Sequence, residues 1–213
     1  MSSTIRQALF LDRDGVINVD RGFVYRREDF EWLPGIFDLV RSARRRGLAV
    51  VVVTNQSGIG RGYYSEEDFF DLTGFMQQRF EAEDAPVTAV YHCPFHPEAE
   101  AARYRHPDHP WRKPHPGMLL QARADLGLDM ASSVIFGDRS SDLEAGAAAG
   151  VGHLGLIGSV DIDRPLLPPY QRFVTPGDAV PWLESLAVPH GVASRLDEEA
   201  SKEAPARRVI RNR

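Results

Sequence analysis

Apolar residues along this chain form two kinds of segment, and the two kinds alternate. Short, nearly continuous apolar runs predict five strands, at 8–11, 48–53, 87–91, 134–136 and 151–157. The segments between them space their apolar residues every three or four positions, as helices do. Nearly continuous apolar strands are typical of a sheet that is covered on both faces. The pattern therefore predicts an α/β fold, a Rossmann-like doubly wound and mainly parallel sheet with helices on both faces.

The helical segments have recognisable beginnings and ends. The apolar face of segment 36–43 predicts a helix that ends before Gly47. Ser65 begins a longer helix, because its side chain can cap the first turn and the acids at 66–68 are stabilised by the helix dipole. Further helices are predicted at 118–126, 143–149 and 179–185.

Polar residues follow three of the predicted strands directly. The first strand ends in Asp12-Arg13-Asp14-Gly15, where an extended chain would point the two acids to one side and Arg13 to the other. Thr54 follows the second strand and Asp138 the fourth. Ligands of parallel sheets collect at the carboxyl ends of the strands, so these residues predict a site there. A solvated Asp-x-Asp-Gly turn is the alternative for the first motif, since such turns occur often by chance.

The length and composition of the chain fit one domain. A chain of 213 residues that is 43% hydrophobic can bury a sizeable core, and we expect a single domain over 1–189. From about residue 190 the chain is charged and lacks an apolar face, so 190–213 is expected to be a flexible tail. Four arginines in this tail could bind an anion or a partner, but a solvated tail is favoured: Arg207, Arg208, Arg211 and Arg213.

The net charge and the cysteine content limit which partners and which cellular compartment we expect for this protein. The formal net charge of -5 argues against a nucleic-acid partner, which would favour a basic face. The single cysteine excludes an intrachain disulfide and suits a reducing compartment. No apolar run approaches the roughly 18 residues of a membrane-spanning helix, and the N-terminus lacks a signal-peptide pattern. We therefore expect a soluble cytoplasmic protein, a monomer or weak oligomer, without a membrane or nucleic-acid partner.

Four segments resemble the signature motifs of the haloacid dehalogenase (HAD) superfamily of aspartate-nucleophile phosphohydrolases. They supply an acid pair, a hydroxyl residue, a lysine and further acids in that order: Asp12-Arg13-Asp14-Gly15, Thr54-Asn55-Gln56-Ser57-Gly58, Arg112-Lys113-Pro114-His115-Pro116 and Gly137-Asp138-Arg139-Ser140-Ser141-Asp142. These motifs, with Ile59-Gly60-Arg61-Gly62 and Tyr91-His92-Cys93-Pro94, look most like the D-glycero-D-manno-heptose 1,7-bisphosphate and histidinol-phosphate phosphatases. The resemblance covers about 8–157 and implies a capless HAD fold, because the chain leaves no room for a large cap domain.

The resemblance implies a role for each motif residue. Asp12 would attack phosphorus and form an aspartyl-phosphate, and Asp14 would protonate the leaving oxygen and then activate water. Lys113 would neutralise charge on Asp12 and on the phosphoryl group. Thr54 and the backbone N–H of Asn55 would hold phosphate oxygens.

The same resemblance implies Mg²⁺ as the cofactor. Its ligands would be Asp12, the backbone carbonyl of Asp14, and Asp138, since hard cations prefer oxygen ligands. Asp142 is expected either as an outer acid of this site or as a helix-start acid that the helix dipole stabilises.

A phosphatase that removes the 7-phosphate of D-glycero-D-manno-heptose 1,7-bisphosphate is the function that the resemblance implies. Arg112 is expected to bind the anionic sugar, because a planar guanidinium suits phosphate and hydroxyl oxygens, and Arg61 to line the entrance unless it is a solvated loop residue. Cationic histidinol phosphate, which would favour acids or aromatics, is the alternative substrate. A catalytically silent phospho-ligand-binding protein is the alternative from another class, and the complete motif set argues against it.

Many members of this branch carry a structural zinc ahead of the Arg-Lys-Pro motif, bound by a Cys-x-His pair and a Cys-x-Cys pair. Here Cys93 keeps the first ligand position, whereas Phe95, His109 and Trp111 occupy the other three. Nearby histidines offer a second tetrahedral set with spacings that zinc accepts: Cys93, His96, His106 and His109. Aromatic residues let a loop pack without a metal, so an ordered loop without zinc is favoured.

Overall fold

The computed structural model describes residues 6–158 and 169–187, and the backbone of 208–210. Its strands are β1 (Ala8–Leu11), β2 (Ala49–Asn55), β3 (Ala89–Cys93), β4 (Val134–Gly137), β5 (His153–Ile157), β6 (Gln171–Phe173) and β7 (Arg208–Ile210). The α-helices are α1 (Ile36–Arg45), α2 (Ser57–Gly60), α3 (Glu66–Ala82), α4 (Gly117–Leu126), α5 (Ser140–Ala148) and α6 (Val180–Ser185). Short 3₁₀ helices lie at Arg27–Asp29, Ala102–Tyr104 and Pro176–Ala179. Among these residues, we find no helix of the length and apolar character that crossing a bilayer requires.

The strands form one sheet in which every neighbouring pair is parallel. Their order is β6-β5-β4-β1-β2-β3-β7. The chain runs from β1 outward to β2 and β3, and then crosses to β4 on the other side of β1. The strand order thus reverses between β1 and β4, and the carboxyl ends of these strands are where ligands bind in such sheets. The predicted doubly wound α/β architecture is confirmed.

Alternate residues of β1 enter two different hydrophobic cores. Leu9 and Leu11 face one core and Ala8 and Phe10 the other, and all four are 0% exposed. The first core includes residues of α1, α3 and α6, and the second includes residues of α4 and α5. Burying one large apolar side chain contributes about 1.5–3 kcal/mol, so the two cores fix the position of β1 firmly. The residues that follow β1 therefore start from a rigid support.

Helix α3 begins where the sequence predicts. The Ser65 hydroxyl accepts the backbone N–H of Asp68 at 3.0 Å, and the Asp68 carboxylate accepts the backbone N–H of Ser65 at 2.8 Å. This reciprocal pair satisfies two backbone donors that the first turn would otherwise leave without partners.

Strands β2 and β3 extend two residues beyond their predicted carboxyl ends. Thr54 pairs with His92, and Asn55 pairs with Cys93. The apolar runs stop at residues 53 and 91, but backbone hydrogen bonds continue the strands through these more polar positions. The candidate phosphate-binding residues Thr54 and Asn55 therefore belong to the sheet itself.

Two edge strands are missing from the sequence prediction. Strand β6 has exposed residues at Gln171 and Arg172, so no apolar run marks it, and it exists through its backbone pairing with β5. Strand β7 pairs with β3 and lies inside the segment 190–213 that the sequence predicts as a tail. The remaining residues of that segment lie outside the described part of the chain.

Candidate active site

Asp12 lies directly after β1 and is held against β4. Its backbone N–H donates to the carbonyl of Phe136 at 3.0 Å. The chain then turns at Gly15, which has a φ of +83°, and a Cβ built there would lie 2.3 Å from Oδ2 of Asp138. Only glycine tolerates both this backbone angle and this close approach. The turn after β1 therefore packs directly against the acid that follows β4.

Lys113 is the positive centre of a buried acid cluster. Its Nζ lies 3.0 Å from Oδ1 of Asp12 and 2.5 Å from Oδ1 of Asp142. Asp12, Asp138 and Asp142 each offer a carboxylate oxygen, and these oxygens lie within 4.8 Å of one another. Within 6–158 and 169–187, no other group of three or more His, Cys, Asp or Glu side chains meets this distance. Three of the sequence-predicted site residues, Asp12, Lys113 and Asp138, are thus brought together.

Both expectations for Asp142 describe its position. It lies in the first turn of α5, where its Oδ2 accepts the backbone N–H of Arg139 at 3.0 Å, and its Oδ1 contacts Lys113. The side chain is 1% exposed. Asp142 is therefore both a helix-start acid and the second partner of the buried lysine.

Lys113 is anchored at both its ends. Its Nζ donates to the Val53 carbonyl at 2.9 Å, in addition to its contacts with the acids. The Asn55 side chain donates to the Lys113 carbonyl and accepts the Lys113 N–H, each at 3.0 Å. The sequence predicts a role for the backbone N–H of Asn55, and the structure adds that its side chain fixes the loop that carries the lysine.

Burial and mutual repulsion raise the pKa of two acids in the cluster. Burial raises the pKa of Asp12 to about 8, opposed by Lys113 and assisted by the neighbouring carboxylates. Burial, together with the charge of Asp142, raises the pKa of Asp138 to about 6. Burial alone would lower the pKa of Lys113, but Asp12 and Asp142 together raise it well above its ordinary value. Lys113 and the exposed Arg139, whose Nε lies 3.7 Å from Oδ2 of Asp138, are the described cations that contact these three carboxylates, and a further positive charge would reduce the repulsion among them.

The donor set of this cluster suits a hard divalent cation. Carboxylate oxygens from different elements converge on one small region, and the chemistry of Mg²⁺ favours such oxygens. Oδ1 of Asp138 is buried and accepts no hydrogen bond from the described residues. A buried carboxylate oxygen without a partner destabilises the folded state, and a cation at this position would supply the partner.

The carboxylate of Asp14 lies in a separate hydrogen-bond network. It accepts hydrogen bonds from Nε and Nη2 of the Arg13 guanidinium, with the closest pair of atoms at 2.9 Å, and one from Asn18 Nδ2 at 3.0 Å. Arg13 is only 2% exposed and also donates to the Val24 carbonyl at 2.6 Å. The expectation that Arg13 points away from the acids is wrong, because β1 ends at Leu11 and the strand alternation does not continue through the turn.

Gln56 connects the network of Asp14 to strand β2. Its Nε2 donates to Oδ2 of Asp14 at 3.1 Å and to Oγ1 of Thr54 at 2.8 Å. Its Oε1 accepts the hydroxyl of Tyr64 at 2.5 Å. Thr54, Gln56 and Tyr64 are all buried. The predicted proton donor and the predicted phosphate-binding hydroxyl are therefore bridged by one amide.

The two candidate substrate arginines lie near each other on neighbouring loops. Burial lowers the pKa of Arg112, and the charge of Arg61 lowers it further. Arg112 donates to the Phe95 carbonyl at 3.3 Å. The Arg61 guanidinium lies 5.9 Å and 5.4 Å from the ring centres of Phe23 and Tyr63. Arg61 also pairs with Glu98 at 3.9 Å, and contact of either arginine with a substrate stays a prediction.

The residues that replace the usual zinc ligands contact one another. The rings of Phe95 and His109 stack with centroids 3.6 Å apart and planes 7° from parallel. The Nδ1 atoms of His96, His106 and His109 each accept a backbone N–H two residues further along the chain. Cys93 is buried in the core, and the four candidate ligands do not form a close group of the kind seen at Asp12. The prediction of an ordered loop without zinc stays a prediction.

Several residues of the site were not singled out from the sequence. Asn18 and Gln56 are buried donors to Asp14, and Tyr64 holds Gln56. Gln56 lies within a motif that carries the resemblance, and Asn18 is a polar residue between apolar neighbours shortly after the first motif, so both positions offered a signal. Tyr64 has no such signal, because an aromatic residue near a helix start is equally typical of core packing.

A doubly wound parallel sheet with an acid pair after β1, a buried lysine and further acids after β4 defines a HAD-like hydrolase. Residues 110–156 match the family model described as HAD-hydrolase-like. The chain is 48% identical to a D-glycero-alpha-D-manno-heptose-1,7-bisphosphate 7-phosphatase of Burkholderia mallei, with 83% of this chain and 93% of that protein covered. The chain belongs to the family of D-glycero-D-manno-heptose-1,7-bisphosphate 7-phosphatases within the HAD superfamily.

Two further relatives agree with this assignment. The corresponding beta-anomer phosphatase of Escherichia coli K12 is 46% identical, with 68% of this chain and 75% of that protein covered. A crystal structure of D,D-heptose 1,7-bisphosphate phosphatase from B. bronchiseptica, complexed with magnesium and phosphate, superposes with a TM-score of 0.71 at 26% identity. That comparison covers 85% of this chain and 99% of the other. The predicted family and fold are confirmed.

Proposed function

We propose that this protein is a Mg²⁺-dependent phosphatase that removes the 7-phosphate of D-glycero-D-manno-heptose 1,7-bisphosphate. The observation that carries the proposal is the cluster of Asp12, Asp138 and Asp142 around the buried Lys113, in the crevice between β1 and β4. Relatives named for this activity cover most of the chain at 46–48% identity. A binding protein would have no need for a buried acid and lysine at this charge density.

The proposed reaction uses Asp12 and Asp14 in turn. A carboxylate oxygen of Asp12 attacks phosphorus, the bond from phosphorus to the substrate's C7 oxygen breaks, and that oxygen takes the proton of Asp14. Asp14, now a carboxylate, removes a proton from water, and the water oxygen attacks the aspartyl-phosphate. The bond between phosphorus and Asp12 breaks, which releases inorganic phosphate and restores both acids.

The other residues hold charge and geometry. Lys113 keeps Asp12 in place and offsets negative charge on the transferring group, because its Nζ already contacts the nucleophilic carboxylate. Thr54 and the backbone N–H of Asn55 are proposed to hold phosphate oxygens at the end of β2. Asp142 contributes to phosphoryl transfer indirectly, since its carboxylate holds the ammonium group of Lys113 in place.

Asp12, Asp138 and the backbone carbonyl of Asp14 are the proposed ligands of Mg²⁺. The buried, orphaned Oδ1 of Asp138 supports this assignment. When bound, Mg²⁺ supplies electrostatic stabilisation of the charge on the phosphoryl oxygens.

Arg61 and Arg112 are the proposed contacts for the anionic sugar bisphosphate. Their guanidinium groups come close enough for the charge of Arg61 to lower the pKa of Arg112, and a second phosphate on the substrate would offset this repulsion. Histidinol phosphate carries positive charge instead, so the same pair of arginines would disfavour it. The named relatives also favour the heptose.

A kinetic comparison tests this function. We expect kcat/KM for at least one anomer of the heptose bisphosphate to exceed that for histidinol phosphate, with inorganic phosphate released from C7 as followed by ³¹P NMR. Both anomers are needed, because relatives named for each match at nearly the same identity. Asp12→Asn is the matched control and should abolish turnover while the circular dichroism spectrum stays unchanged. A higher value for histidinol phosphate would promote that substrate, and no turnover of any phosphomonoester would favour a binding protein.

We further propose that the enzyme acts in the cytoplasm as a monomer or weak oligomer, without a nucleic-acid partner. The negative formal charge and the single cysteine support this setting. Gel filtration with light scattering would show a stable higher oligomer if that part of the proposal is wrong.

A further inference from the structure

The amide of Gln56 occupies a position between two parts of the site. Its nitrogen donates to Asp14 and to Thr54, and the side chain is 2% exposed. Arg13 and Asn18 also bind the Asp14 carboxylate, but their contacts lie within the turn after β1. Gln56 is therefore the described contact that ties the Asp14 carboxylate to the end of β2.

Asp14 and Tyr64 together set which way this amide faces. The Tyr64 hydroxyl donates to Oε1 of Gln56, which leaves Nε2 turned toward Asp14 and Thr54. A rotation of the amide by half a turn would place Oε1 against the Asp14 carboxylate and Nε2 against the hydroxyl hydrogen of Tyr64. In such a state the Asp14 carboxylate loses the Gln56 donor and faces a carbonyl oxygen, and the Tyr64 hydroxyl must turn its hydrogen away from Gln56, in a buried site where unsatisfied polar groups are costly. Burial raises the pKa of Tyr64, so its hydroxyl keeps the proton that it donates.

The ring of Tyr64 is itself held firmly. It stacks on Tyr25 with centroids 5.2 Å apart and planes 8° from parallel. A Cβ built on Gly58 would lie 2.2 Å from Cε1 of Tyr64, so the backbone of α2 lies against the ring edge. The hydroxyl therefore reaches Gln56 from a fixed direction.

We propose that Gln56, with its amide oriented by Tyr64, is a positioning residue that sets the place of the Asp14 carboxyl relative to Thr54. The inference rests on the proposed function, in which Asp14 delivers the proton to the leaving oxygen and Thr54 holds the phosphate. In that function, Asp14 and Thr54 both contact the same phosphoryl ester. The length and direction of the Gln56 side chain therefore fix how the proton donor meets the leaving oxygen. Neither Gln56 nor Tyr64 contacts the reacting atoms.

The dependence of the rate on the leaving group tests this role. A sugar alkoxide needs a proton to leave, whereas p-nitrophenolate is a stable anion that leaves without one. A misplaced Asp14 therefore slows the sugar ester more than the aryl ester, while general damage to the site slows both. The parameter to compare is kcat/KM, because it ends at departure of the leaving group and excludes hydrolysis of the aspartyl-phosphate.

The variants are Tyr64→Phe, which keeps the ring and removes the donor, and Gln56→Met, which keeps the length and removes the amide. Tyr25→Phe is the matched control, since it removes a hydroxyl from the stacked ring outside this network. Asp14→Asn is the reference for complete loss of the proton donor. Thermal melting of each variant reports its folding.

We expect Tyr64→Phe and Gln56→Met each to lower kcat/KM for the heptose bisphosphate about tenfold, and that for p-nitrophenyl phosphate less than about threefold. Tyr25→Phe should change neither. Equal losses on both esters, or no loss on the sugar ester, would overturn the positioning role. If the wild type turns over neither ester, or Asp14→Asn lacks leaving-group selectivity, the assignment of Asp14 fails first, and the inference fails with it.

Discussion

At the scale of single residues, a buried ammonium group lies among three neighbouring carboxylates, one of which also contacts the exposed Arg139. Lys113 contacts Asp12 and Asp142 within 3.0 Å, and Asp138 adds a third carboxylate nearby. The arrangement of carboxylates therefore suits the binding of an additional cation. This arrangement makes the protonation of Asp12 depend on what else is bound.

The raised pKa of Asp12 predicts a pH-dependent stability in the absence of divalent metal. Asp12 has an ordinary pKa of 3.8 in the unfolded chain and a pKa of about 8 in the folded protein. Between these values the folded state binds more protons than the unfolded state, so the free energy of unfolding contributed by Asp12 falls as pH rises. In EDTA, the stability of the wild type relative to Asp12→Asn should decrease from about pH 5 to about pH 8.

Urea denaturation of both proteins at each pH measures this difference. The Asp138 carboxyl, whose pKa is raised to about 6, has the same sign but is present in both proteins. Parallel pH curves for wild type and variant would show that the environment of Asp12 does not raise its pKa.

A second prediction at this scale concerns the arginines near the site. Arg112→Ala should lower kcat/KM for the heptose bisphosphate by about tenfold or more, because a charge-assisted bond to phosphate contributes roughly 1.5–3 kcal/mol. Arg103→Ala is the matched control, since Arg103 lies over the ring of Tyr104 at 4.7 Å and is exposed. Equal effects of the two substitutions would remove Arg112 from the substrate site.

At the scale of elements, aromatic side chains of the loop between β3 and α4 pack against one another. The stack of Phe95 on His109 joins two positions where relatives of this branch carry ligands. Phe95 also lies edge-on to Tyr104, with ring centroids 6.0 Å apart. The loop thus has an apolar centre of its own, which a zinc-bound loop of this length would not need.

We therefore predict that this loop is ordered without zinc. Elemental analysis of protein purified without chelator should find less than one equivalent of zinc, and Cys93→Ser should retain most activity. Burial raises the pKa of the Cys93 thiol to about 11, so the native protein should react slowly with thiol reagents near neutral pH. A full equivalent of tightly bound zinc that is lost in Cys93→Ser would contradict the prediction.

At the scale of the whole molecule, the sheet order brings the site together. Asp12 follows β1, Lys113 precedes α4, and Asp138 follows β4, yet the three side chains lie close together. They meet where the strand order reverses between β1 and β4, which is where ligands bind in such sheets. Metal binding should therefore affect the stability of the fold as well as the rate of the reaction.

We predict that EDTA abolishes activity and that Mg²⁺ restores it. Mg²⁺ should also raise the melting temperature, since a ligand that binds only the folded state stabilises it. Asp138→Asn should lose most of this thermal shift, whereas Arg103→Ala should retain it. Restoration by Zn²⁺ but not by Mg²⁺ would show that the proposed cation is wrong.

The sequence by itself determined the alternation of strands and helices, the start of α3 at Ser65 and the motif residues. Each of these depends on local information, namely the polarity of successive residues and the capping of one turn. Asp12 and Asp138 correctly marked the carboxyl ends of β1 and β4, and Thr54 lies one residue before the end of β2.

Only the tertiary structure decided which side chains meet. The pairing of Arg13 with Asp14, of Lys113 with Asp142 and of Phe95 with His109 depends on turns and sheet order that no local pattern specifies. The exposed strand β6 and the backbone pairing of β7 exist through neighbouring strands for the same reason. The polarity of each residue indicates whether it is buried. Which distant polar groups bind one another is fixed only when the packed sheet brings them together.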